Sequence, residues 1–388
     1  MTNTAAGLKV MVIGAGLAGS AAAIRLARRG FDVAWIEAAH FPRQKVCGCC
    51  LNLAALSALR ELGCDDAVRR LAPAELSQWK LNACGREVTA PLPGGIAVSR
   101  GALDTTLVDE ARKFGVTPQF GVRGQIVDAS PAGVIVRRSD LATPQRFDAV
   151  VLATGLTGAS VSRWLPWIEQ PHGPMGASLL VQRLDGVADR TIHMVCGDGG
   201  YVGLVRLEDG RVDVAGAVWP ERHEIESTGH HHPGGDAALE AVKRVGKERI
   251  VRIFETILAT ASIGPLPPDA AERLMTTPPL RRLRHYGEHG LLAVGDAAGY
   301  VEPFTGEGMA WAIRSGIVAA DCIAAGGTPD EIADRWLARR QEFLRRRQWI
   351  CRALARGLET PTRSRWLVRG MSLAPWAVRR AVARLNRE

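Results

Sequence analysis

A glycine-rich segment near the start of the chain, GAGLAG at residues 14–19, constrains the fold more than any other feature. It directly follows the apolar run of residues 10–13, and residues 20–29 after it have the composition of a helix. A second apolar run, residues 31–36, comes next and ends at an acidic residue. Strand, glycine turn, helix and strand in this order predict a βαβ unit.

The spacing of these glycines matches a dinucleotide-binding turn. Gly14 would permit the tight turn, Gly16 would let the backbone approach a pyrophosphate, and Gly19 would allow helix and strand to pack closely. The phosphates would lie at the helix N-terminus, beside the N–H groups of Leu17 and Ala18, where the helix dipole favours anions.

An acidic residue at the end of the second strand indicates which nucleotide fits. Glu37 follows the turn by about 20 residues, where it could accept a hydrogen bond from a ribose hydroxyl. A carboxylate there favours an unphosphorylated adenosine ribose, as in FAD or NAD, over NADP. The alternatives are a glycine-rich turn of another α/β fold and an N-terminal targeting segment.

A second segment narrows the choice of nucleotide. Residues 290–294 are another buried-strand candidate; they lead into Gly295 and Asp296, and a helix is predicted from about Gly306. Asp296 would hold a hydroxyl of the ribityl chain or near the pyrophosphate. N–H groups at the helix start would face the flavin N1–C2 carbonyl edge and stabilise the reduced anion. The alternative is an ordinary glycine-containing loop. The residues assigned to the cofactor here are Asp296, Pro303, Gly306, Gly308 and Met309.

This second segment also resembles a known motif. GDAAG at 295–299, PFTG at 303–306 and GM at 308–309 are similar to the second FAD motif of flavoproteins with the p-hydroxybenzoate hydroxylase fold. Within that fold, the chain most resembles the geranylgeranyl reductase-like branch. The resemblance extends over about residues 9–317.

Three further segments carry the same resemblance. Residues 99–104 resemble the segment whose arginine, here Arg100, contacts the FAD phosphates, and residues 150–155 resemble the strand and glycine turn behind the cofactor. Residues 45–48, which end at Gly48, resemble the loop beside the isoalloxazine ring. The resemblance therefore implies one extended FAD as the cofactor.

The expected fold class is α/β. It comprises a three-layer, Rossmann-like FAD-binding domain interrupted by an antiparallel-sheet substrate domain, with a C-terminal helical region. Residues 176–218 alternate apolar and polar residues between turn signals, which is typical of such a sheet. The expected domain limits are 8–77, 98–172 and 275–325 for the FAD-binding domain, 78–97 and 173–274 for the substrate domain, and 326–388 for the C-terminal region.

The composition indicates a folded globular protein. A chain of 388 residues, 47% of them hydrophobic, can bury one large core or two modest ones. We expect a cytoplasmic enzyme, because no stretch approaches the length of a transmembrane helix and the N-terminal apolar run already belongs to the βαβ unit. The eight cysteines lack paired framework spacing, which favours reduced thiols.

Positive charge is concentrated at the C-terminal end. Residues 331–388 contain fifteen Arg and five acidic residues, a net charge of +10 within a chain whose total is +9. The same region contains Trp336, Trp349, Trp366 and Trp376. One interpretation is peripheral membrane contact that admits a lipophilic substrate, and another is a solvated helical cap. Nucleic-acid binding is not expected, since no binding motif accompanies the charge.

A histidine-rich stretch raises the question of a metal. Residues 221–236 include His223 and three consecutive histidines at 230–232, but three adjacent side chains cannot readily share one tetrahedral ion. A polar loop without metal is therefore expected. No second GxGxxG segment follows, so NADPH or NADH, if it is the electron donor, would bind only transiently.

Cys47, Cys49 and Cys50 form the most reactive candidate group. Their spacing fits zinc or iron–sulfur binding badly. Three alternatives remain: buried thiols without chemistry, a covalent cysteinyl–FAD bond, and redox or proton transfer beside the flavin. Arg43 and Lys45 lie close in sequence and would favour a thiolate, and Arg43 is also a candidate cofactor ligand.

Several reactions are compatible with this flavin site. We expect a monooxygenase that uses O2 through a flavin C4a-(hydro)peroxide to hydroxylate or epoxidise a hydrophobic small molecule. The alternatives are a double-bond reductase, a flavin halogenase and a non-catalytic FAD-binding module. Residues 201–206 lack the Trp and Phe-Pro of the reductase segment Tyr-x-Trp-x-Phe-Pro. Tyr201 and His193 are the candidate substrate-facing polar groups.

Overall fold

The structure, a computed structural model, describes residues 7–83, 85–157, 161–219, 236–300 and 306–340, together with six positions between residues 366 and 380. The strands are β1 (Val10–Ile13), β2 (Val33–Glu37), β3 (Cys50–Leu51), β4 (Ala74–Glu75), β5 (Gln78–Ala83), β6 (Arg86–Pro91), β7 (Ile96–Ala97), β8 (Gln119–Phe120), β9 (Gly124–Ser130), β10 (Gly133–Arg138), β11 (Gln145–Phe147), β12 (Ala149–Leu152), β13 (Trp167–Val181), β14 (Thr191–Gly197), β15 (Gly200–Arg206), β16 (Val212–Val218), β17 (Met275–Arg284), β18 (Gly287–Glu288), β19 (Leu291–Ala293) and β20 (Gly299–Tyr300). The helices are α1 (Leu17–Ala27), α2 (Leu53–Glu61), α3 (Asp65–Arg69), α4 (Arg100–Arg112), α5 (Asp236–Ala259), α6 (Ala270–Arg273) and α7 (Gly308–Ala324).

A six-stranded, mostly parallel sheet organises the first half of the molecule, in the order β18-β19-β12-β1-β2-β8. β1 pairs in parallel with both β12 and β2, and β19 pairs in parallel with the far side of β12. Every residue of β1 is buried. Such continuous apolar strands are typical of a parallel sheet that is covered on both faces.

Different layers cover the two faces of this sheet. On one face, α1, α4 and α7 contribute Leu26, Leu107 and Ile317 to the largest core cluster. On the other face, the three-stranded sheet β11-β10-β9 packs through Val134 and Phe147. Helices, parallel sheet and small antiparallel sheet make three layers. The predicted Rossmann-like architecture is thus confirmed.

Close contact between α1 and α7 joins the two glycine segments of the sequence. A Cβ atom added at Gly316 of α7 would lie 2.1 Å from the carbonyl oxygen of Ala18 in α1. A Cβ at Gly295 would lie 3.0 Å from the Cβ of Ala18. Both distances are shorter than van der Waals contact, so glycine at these positions allows the segments to meet, although they are far apart in sequence.

An eight-stranded, mostly antiparallel sheet forms the second half, in the order β20-β17-β13-β16-β15-β14-β5-β6. One face of it is covered by α5, whose Phe254 and Ile257 are fully buried in a cluster with Val202 and Val214. The opposite face carries Leu81, Met194 and other residues of a separate cluster. This second face is turned towards the parallel-sheet half.

The hairpin between β15 and β16 connects the two halves through hydrogen bonds. Glu208, in that hairpin, accepts from the backbone N–H of Ser99 at 2.8 Å and from the Ser99 hydroxyl at 2.6 Å. Ser99 is the N-cap of α4, and its hydroxyl in turn accepts from the Ala102 N–H. The sheet therefore holds the start of the helix whose first residue is Arg100.

The domain limits given by the sequence analysis stay predictions. β17 and β20 join the antiparallel sheet, although they lie within residues 275–325, which we expected in the FAD-binding domain. Their antiparallel pairing with β13 and with each other accounts for this position. None of the helices in the described ranges is long and apolar enough to cross a bilayer.

Candidate functional site

The first glycine turn has the geometry that the sequence predicts. Gly14 has a φ of +106°, and a Cβ there would lie 2.5 Å from the carbonyl oxygen of Ala153. A Cβ at Gly19 would lie 1.9 Å from the carbonyl oxygen of Gly14. The Trp35 indole N–H donates to that same Gly14 oxygen at 3.0 Å. Side chains at Gly14 or Gly19 would therefore clash with backbone and open the turn.

Two arginines converge on the third turn position, Gly16. A Cβ at Gly16 would lie 3.5 Å from Nη2 of Arg43 and 3.8 Å from Nη2 of Arg100. Both guanidinium groups thus lie over the N-terminus of α1, which begins at Leu17. Two cations beside a free helix N-terminus form a site for an anion such as a pyrophosphate.

Buried carboxylates hold these arginines in place. Arg100 makes a two-pronged contact with Asp104, with N–O distances of 3.0 and 2.9 Å, and Asp104 is fully buried. Arg43 lies 3.8 Å from Asp104 and 3.7 Å from Glu37. The sequence analysis missed Asp104, although its position four residues after Arg100 on a helix is typical of a paired ion.

Glu37 lies where the sequence places it, at the end of β2. Its Oε2 accepts from the Ala15 N–H at 2.7 Å, and its Oε1 accepts from the Ala39 N–H at 2.9 Å. The carboxylate therefore fastens the glycine turn to the second strand. Each oxygen has a further lone pair, so Glu37 can still accept the predicted hydrogen bond from a ribose hydroxyl.

The second glycine segment, which begins at Gly295, contacts both α7 and the loop of residues 45–48. Gly295 has a φ of +56°, and its N–H donates to the Ser315 hydroxyl at 2.9 Å. The Asp296 carboxylate lies 3.4 Å from Nζ of Lys45, which brings the loop of residues 45–48 to this segment. Pro303 lies outside the described residues.

A cavity of about 1740 Å³ connects these elements. On the nucleotide side its lining includes the predicted residues Gly14, Gly16, Leu17, Ala18, Glu37, Arg43, Gly48, Arg100, Asp296, Gly306, Gly308 and Met309. On the other side it is lined by the antiparallel sheet, with Trp79, Leu81, Ile192, Met194, Tyr201 and Leu280. Pockets for one small ligand usually measure about 300–1,000 Å³, so this cavity has room for a dinucleotide and a second molecule.

The two predicted substrate-facing residues lie in different places. Tyr201 lines the cavity and is 3% exposed. His193 is not among the described residues that line it, and its Nε2 accepts from the Ala188 N–H at 3.0 Å. Burial is the main cause that lowers the pKa of His193. Of these two residues, the structure places Tyr201 at the cavity wall and His193 away from it.

The three candidate cysteines lie together in the cavity wall. Cys47, Cys49 and Cys50 all line the cavity, and Cys49 is 3% exposed. The Cys49 N–H donates to Sγ of Cys47 at 3.4 Å, and the Cys49 thiol donates to the Cys47 carbonyl oxygen at 3.9 Å. All three pack in a small cluster with Ala97 and Val205.

The pKa values of the three thiols are shifted in different directions. A hydrogen bond from Cys49, with the positive charge of Arg100, lowers the pKa of Cys47 despite its burial. The pKa of Cys49 is raised, first by its hydrogen bond to Cys47 and then by burial. Burial likewise raises the pKa of Cys50. Cys47 is therefore the most readily ionised thiol of the group.

Asp213 is a buried acid that the sequence analysis missed. It lies on β16 in register with Val205 and is 3% exposed. Burial, followed by the charge of Cys47, raises its pKa well above the usual range. Its Oδ2 has no hydrogen-bond partner in the described part of the chain. An aspartate between Val212 and Val214 in an apolar strand was the signal that could have revealed it.

Two other predicted features are resolved only in part. No group of His, Cys, Asp or Glu side chains in the described residues could hold a metal ion. The histidines at 223 and 230–232 lie outside those residues. Trp336 of the basic region is fully buried and donates to the Tyr286 carbonyl oxygen, so it belongs to the core rather than to an exposed surface.

Comparison with known proteins agrees with this geometry. Residues 7–346 match the family described as FAD binding domain. The chain is 27% identical to menaquinone reductase of Mycolicibacterium smegmatis, over 91% of this chain and 85% of that protein. It is 27% identical to kynurenine 3-monooxygenase of Stenotrophomonas maltophilia, over 81% of this chain and 70% of that protein.

Solved structures show the same fold at lower identity. PqsL of Pseudomonas aeruginosa in complex with 2-aminobenzoylacetate aligns with a TM-score of 0.67 at 19% identity, over 92% of this chain and 98% of that one. A triple mutant of the flavin-dependent brominase Bmp2 aligns with a TM-score of 0.70 at 17% identity, over 97% and 94%. The predicted fold, FAD cofactor and oxidoreductase class are confirmed, and the chain belongs to the FAD-binding domain family of flavoproteins.

Proposed function

We propose that the protein is an FAD-dependent monooxygenase that oxidises a hydrophobic small molecule. The observation that carries this proposal is the single cavity that runs from the glycine turn to an apolar sheet face. An FAD that extends from the Gly16 turn to the Asp296 segment would leave the sheet side of the cavity for substrate. The apolar lining would exclude water from the reacting atoms, as oxygen activation by flavins requires.

Different residues of the nucleotide side would bind different parts of FAD. Arg43, Arg100 and the N-terminus of α1 would bind the pyrophosphate, and Glu37 the adenosine ribose. Lys45 and Asp296, 3.4 Å apart, would lie beside the ribityl chain. When bound, FAD supplies electron transfer from NADPH or NADH and the activation of O2.

The substrate side supports a lipophilic substrate with few polar groups. Trp79, Leu81, Ile192 and Met194 contribute hydrophobic surface, and Tyr201 contributes a phenolic hydroxyl. A cavity wall of this kind fixes a substrate by shape and by one or two polar contacts. Tyr201 is therefore the proposed orienting group.

A double-bond reductase is the second candidate. It is favoured by the relative named menaquinone reductase, which this chain matches over 91% of its own length. The resemblance of residues 45–48 to the geranylgeranyl reductase-like branch supports the same alternative. Both candidates use the same FAD site and differ in whether reduced flavin reacts with O2 or with a carbon–carbon double bond.

Rapid mixing distinguishes the two candidates. The purified holoprotein is reduced without oxygen and then mixed with O2-saturated buffer, while the flavin absorbance is followed. A monooxygenase should show an additional absorbance phase between the reduced and the oxidised spectra. Reoxidation by O2 in a single phase, together with anaerobic reoxidation by a short isoprenoid alkene that is converted to its saturated product, would instead support the reductase. Colourless protein that binds no FAD would contradict both.

Peripheral membrane contact belongs to this proposal as the route of substrate entry. Trp366, Leu373 and Trp376 are 65%, 78% and 66% exposed, and Trp366 also lines the cavity. Exposed Trp beside Arg, as in the Arg369–Trp366 and Arg380–Trp376 contacts, suits an anionic bilayer surface. Co-sedimentation with phosphatidylglycerol-containing vesicles should fall on Trp376→Ala and remain with the exposed control Leu141→Ala. Equal sedimentation of both variants would contradict this contact.

A further inference from the structure

Two of the three cavity cysteines are joined by hydrogen bonds. Cys47 and Cys49 are separated only by Gly48, and the Cys49 N–H donates to Sγ of Cys47 at 3.4 Å. This hydrogen bond folds the Cys47 side chain back over the Gly48–Cys49 peptide. The Sγ of Cys47 therefore lies beside the residue that carries the second thiol.

The backbone around the pair is suited to a change of state. Cys49 has a φ of +52°, a conformation that residues other than glycine rarely adopt and that concentrates at functional sites. A Cβ added at Gly48 would meet no atom within 4 Å, so the connecting residue borders open space. Formation of a bond between the two side chains would therefore not force Gly48 into its neighbours.

Cys50 is a poor partner for Cys49. Adjacent Cα atoms are about 3.8 Å apart across a trans peptide, which is below the range of about 4.4–6.8 Å that unstrained disulfides span. Cys50 is also fixed in β3, where it pairs with Ala97. Cys64, Cys196 and Cys322 belong to other core clusters. The hydrogen bonds that join Cys49 to Cys47 therefore favour Cys49 over Cys50 as the partner of Cys47.

The two thiols also have complementary chemical states. The pKa of Cys47 is lowered by its hydrogen bond from Cys49 and by the positive charge of Arg100, while the pKa of Cys49 is raised. A thiolate is the form that attacks a peroxide, and a neighbouring thiol is what then resolves the product. Once Cys47 is oxidised and uncharged, the main cause of the raised pKa of Cys49 is removed.

We propose that Cys47 and Cys49 form a reversible disulfide when hydrogen peroxide enters the cavity. The Cys47 thiolate attacks one peroxide oxygen, the O–O bond breaks, and with one proton the products are a sulfenic acid and water. The Cys49 sulfur then attacks the Cys47 sulfur, and its proton leaves with the hydroxyl as a second water. Two thiols lose two electrons and one peroxide gains them. Peroxide released by flavin turnover with O2 is the expected source, which rests on the proposed function.

The consequence for the site is electrostatic. The disulfide removes a negative charge beside Arg100, whose remaining anionic contact is the buried Asp104. Arg100 then has one competitor fewer for a bound phosphate. The oxidised protein should therefore bind FAD at least as tightly as the reduced protein.

Peptide mapping of the holoprotein tests the proposal with added peroxide, independently of flavin chemistry. Lys45 and Arg60 bound one tryptic peptide that contains all three cysteines. After peroxide treatment, iodoacetamide should label Cys50 but not Cys47 or Cys49, and the peptide should be lighter by two hydrogen atoms until dithiothreitol is added. Unchanged labelling of Cys47, or a bond that includes Cys50, would overturn the proposal.

Two variants separate the pair from its neighbour. Cys50→Ser should still form the disulfide. Cys49→Ser should form none and should leave a Cys47 sulfenic acid that reacts with dimedone. A disulfide lost in Cys50→Ser and retained in Cys49→Ser would reject the assignment. The mapping of the unaltered protein decides the question even if one variant does not fold.

Discussion

The glycine turn at α1 and the cavity face of the eight-stranded sheet border the same cavity, but they are constrained in different ways. At the turn, the constraint is backbone contact: added Cβ atoms at Gly14 and Gly19 would lie 2.5 and 1.9 Å from carbonyl oxygens. At the sheet, Leu81, Met194 and Tyr201 are constrained by side-chain packing.

This difference explains what each region can change. Backbone contacts of this kind admit one residue type, whereas apolar packing tolerates exchange of residues of similar volume at modest cost. We therefore expect changes at the nucleotide side to act through folding and FAD content. Changes at the sheet should act mainly on the choice of substrate.

The largest effect is expected for Gly19→Val. Its Cβ would meet the Gly14 carbonyl oxygen, so the turn cannot close and the purified protein should contain no FAD. The matched control is Gly246→Ala in α5, where a Cβ meets no atom within 4 Å. That control should keep its flavin and gain about 0.5–1 kcal/mol from the better helix former. Flavin absorbance per protein measures both, and full flavin content in Gly19→Val would break the comparison.

Arg100→Ala should lower the free energy of unfolding by less than Gly19→Val does, but by more than any surface substitution does. It leaves the buried Asp104 with the 3.8 Å contact to Arg43 in place of its two-pronged pair, a defect of at most about 3–5 kcal/mol. Urea unfolding should show this loss, and FAD affinity should fall with it. Arg112→Ala removes the exposed pair with Asp109, 2.6 Å apart, and should cost about 0–1 kcal/mol. Similar losses of stability in Arg100→Ala and Arg112→Ala would contradict the larger contribution expected from the buried Arg100–Asp104 pair.

Asp213 and Asp209 should change the pH dependence of stability in opposite directions. The raised pKa of Asp213, caused first by burial, means that the folded state keeps its proton while the unfolded state loses it above about pH 4. Stability from this group therefore falls as the pH rises towards the folded pKa. Asp213→Asn should remove that fall in urea midpoints measured between about pH 4 and 7.

Asp209 provides the matched contrast on the same hairpin. Burial opposes ionisation, but hydrogen bonds from the side chain and backbone of Arg211 outweigh it and lower the pKa of Asp209. Its contribution is present above the unfolded pKa and is lost as the pH falls through the folded value. Asp209→Asn should therefore lower stability at neutral pH and have little effect in acid. If Asp213→Asn and Asp209→Asn changed the pH dependence of stability in the same direction, this assignment would be refuted.

Tyr201→Phe should have the smallest effect on the fold. Loss of one buried hydroxyl costs about 0.5–1.5 kcal/mol, and FAD content should stay unchanged. If Tyr201 orients the substrate, turnover should fall while anaerobic flavin reduction is preserved. Loss of flavin in this variant would show that the sheet side and the nucleotide side are not separable.

The sequence predicted the parts of the molecule that local backbone geometry dictates. The βαβ unit, Glu37 at the end of β2 and the Gly295–Asp296 segment all occur where their patterns placed them. In each case, a glycine or an acid at a fixed distance from an apolar run is required by the shape of the turn. These requirements act over a few residues, so a single sequence displays them.

Features that depend on distant pairing were not predictable in this way. Successive side chains of a strand point to opposite faces of the sheet. His193 therefore lies outside the cavity, while its neighbour Met194 lines it. Asp213 lies close enough to Cys47 for the charge of Cys47 to raise its pKa only because β16 pairs within the antiparallel sheet. Long-range register, rather than composition, fixes those positions.

The contact between Glu208 and Ser99 has a consequence for engineering and for evolution. The tip of one substrate-sheet hairpin holds Ser99, the N-cap of the helix that begins at Arg100, through hydrogen bonds of 2.8 and 2.6 Å. A sheet grafted from a relative would leave Ser99 without this partner unless it brought an acid to the same place. Exchange of the substrate sheet between proteins of this fold should therefore succeed only when the hairpin and Ser99 are transferred together.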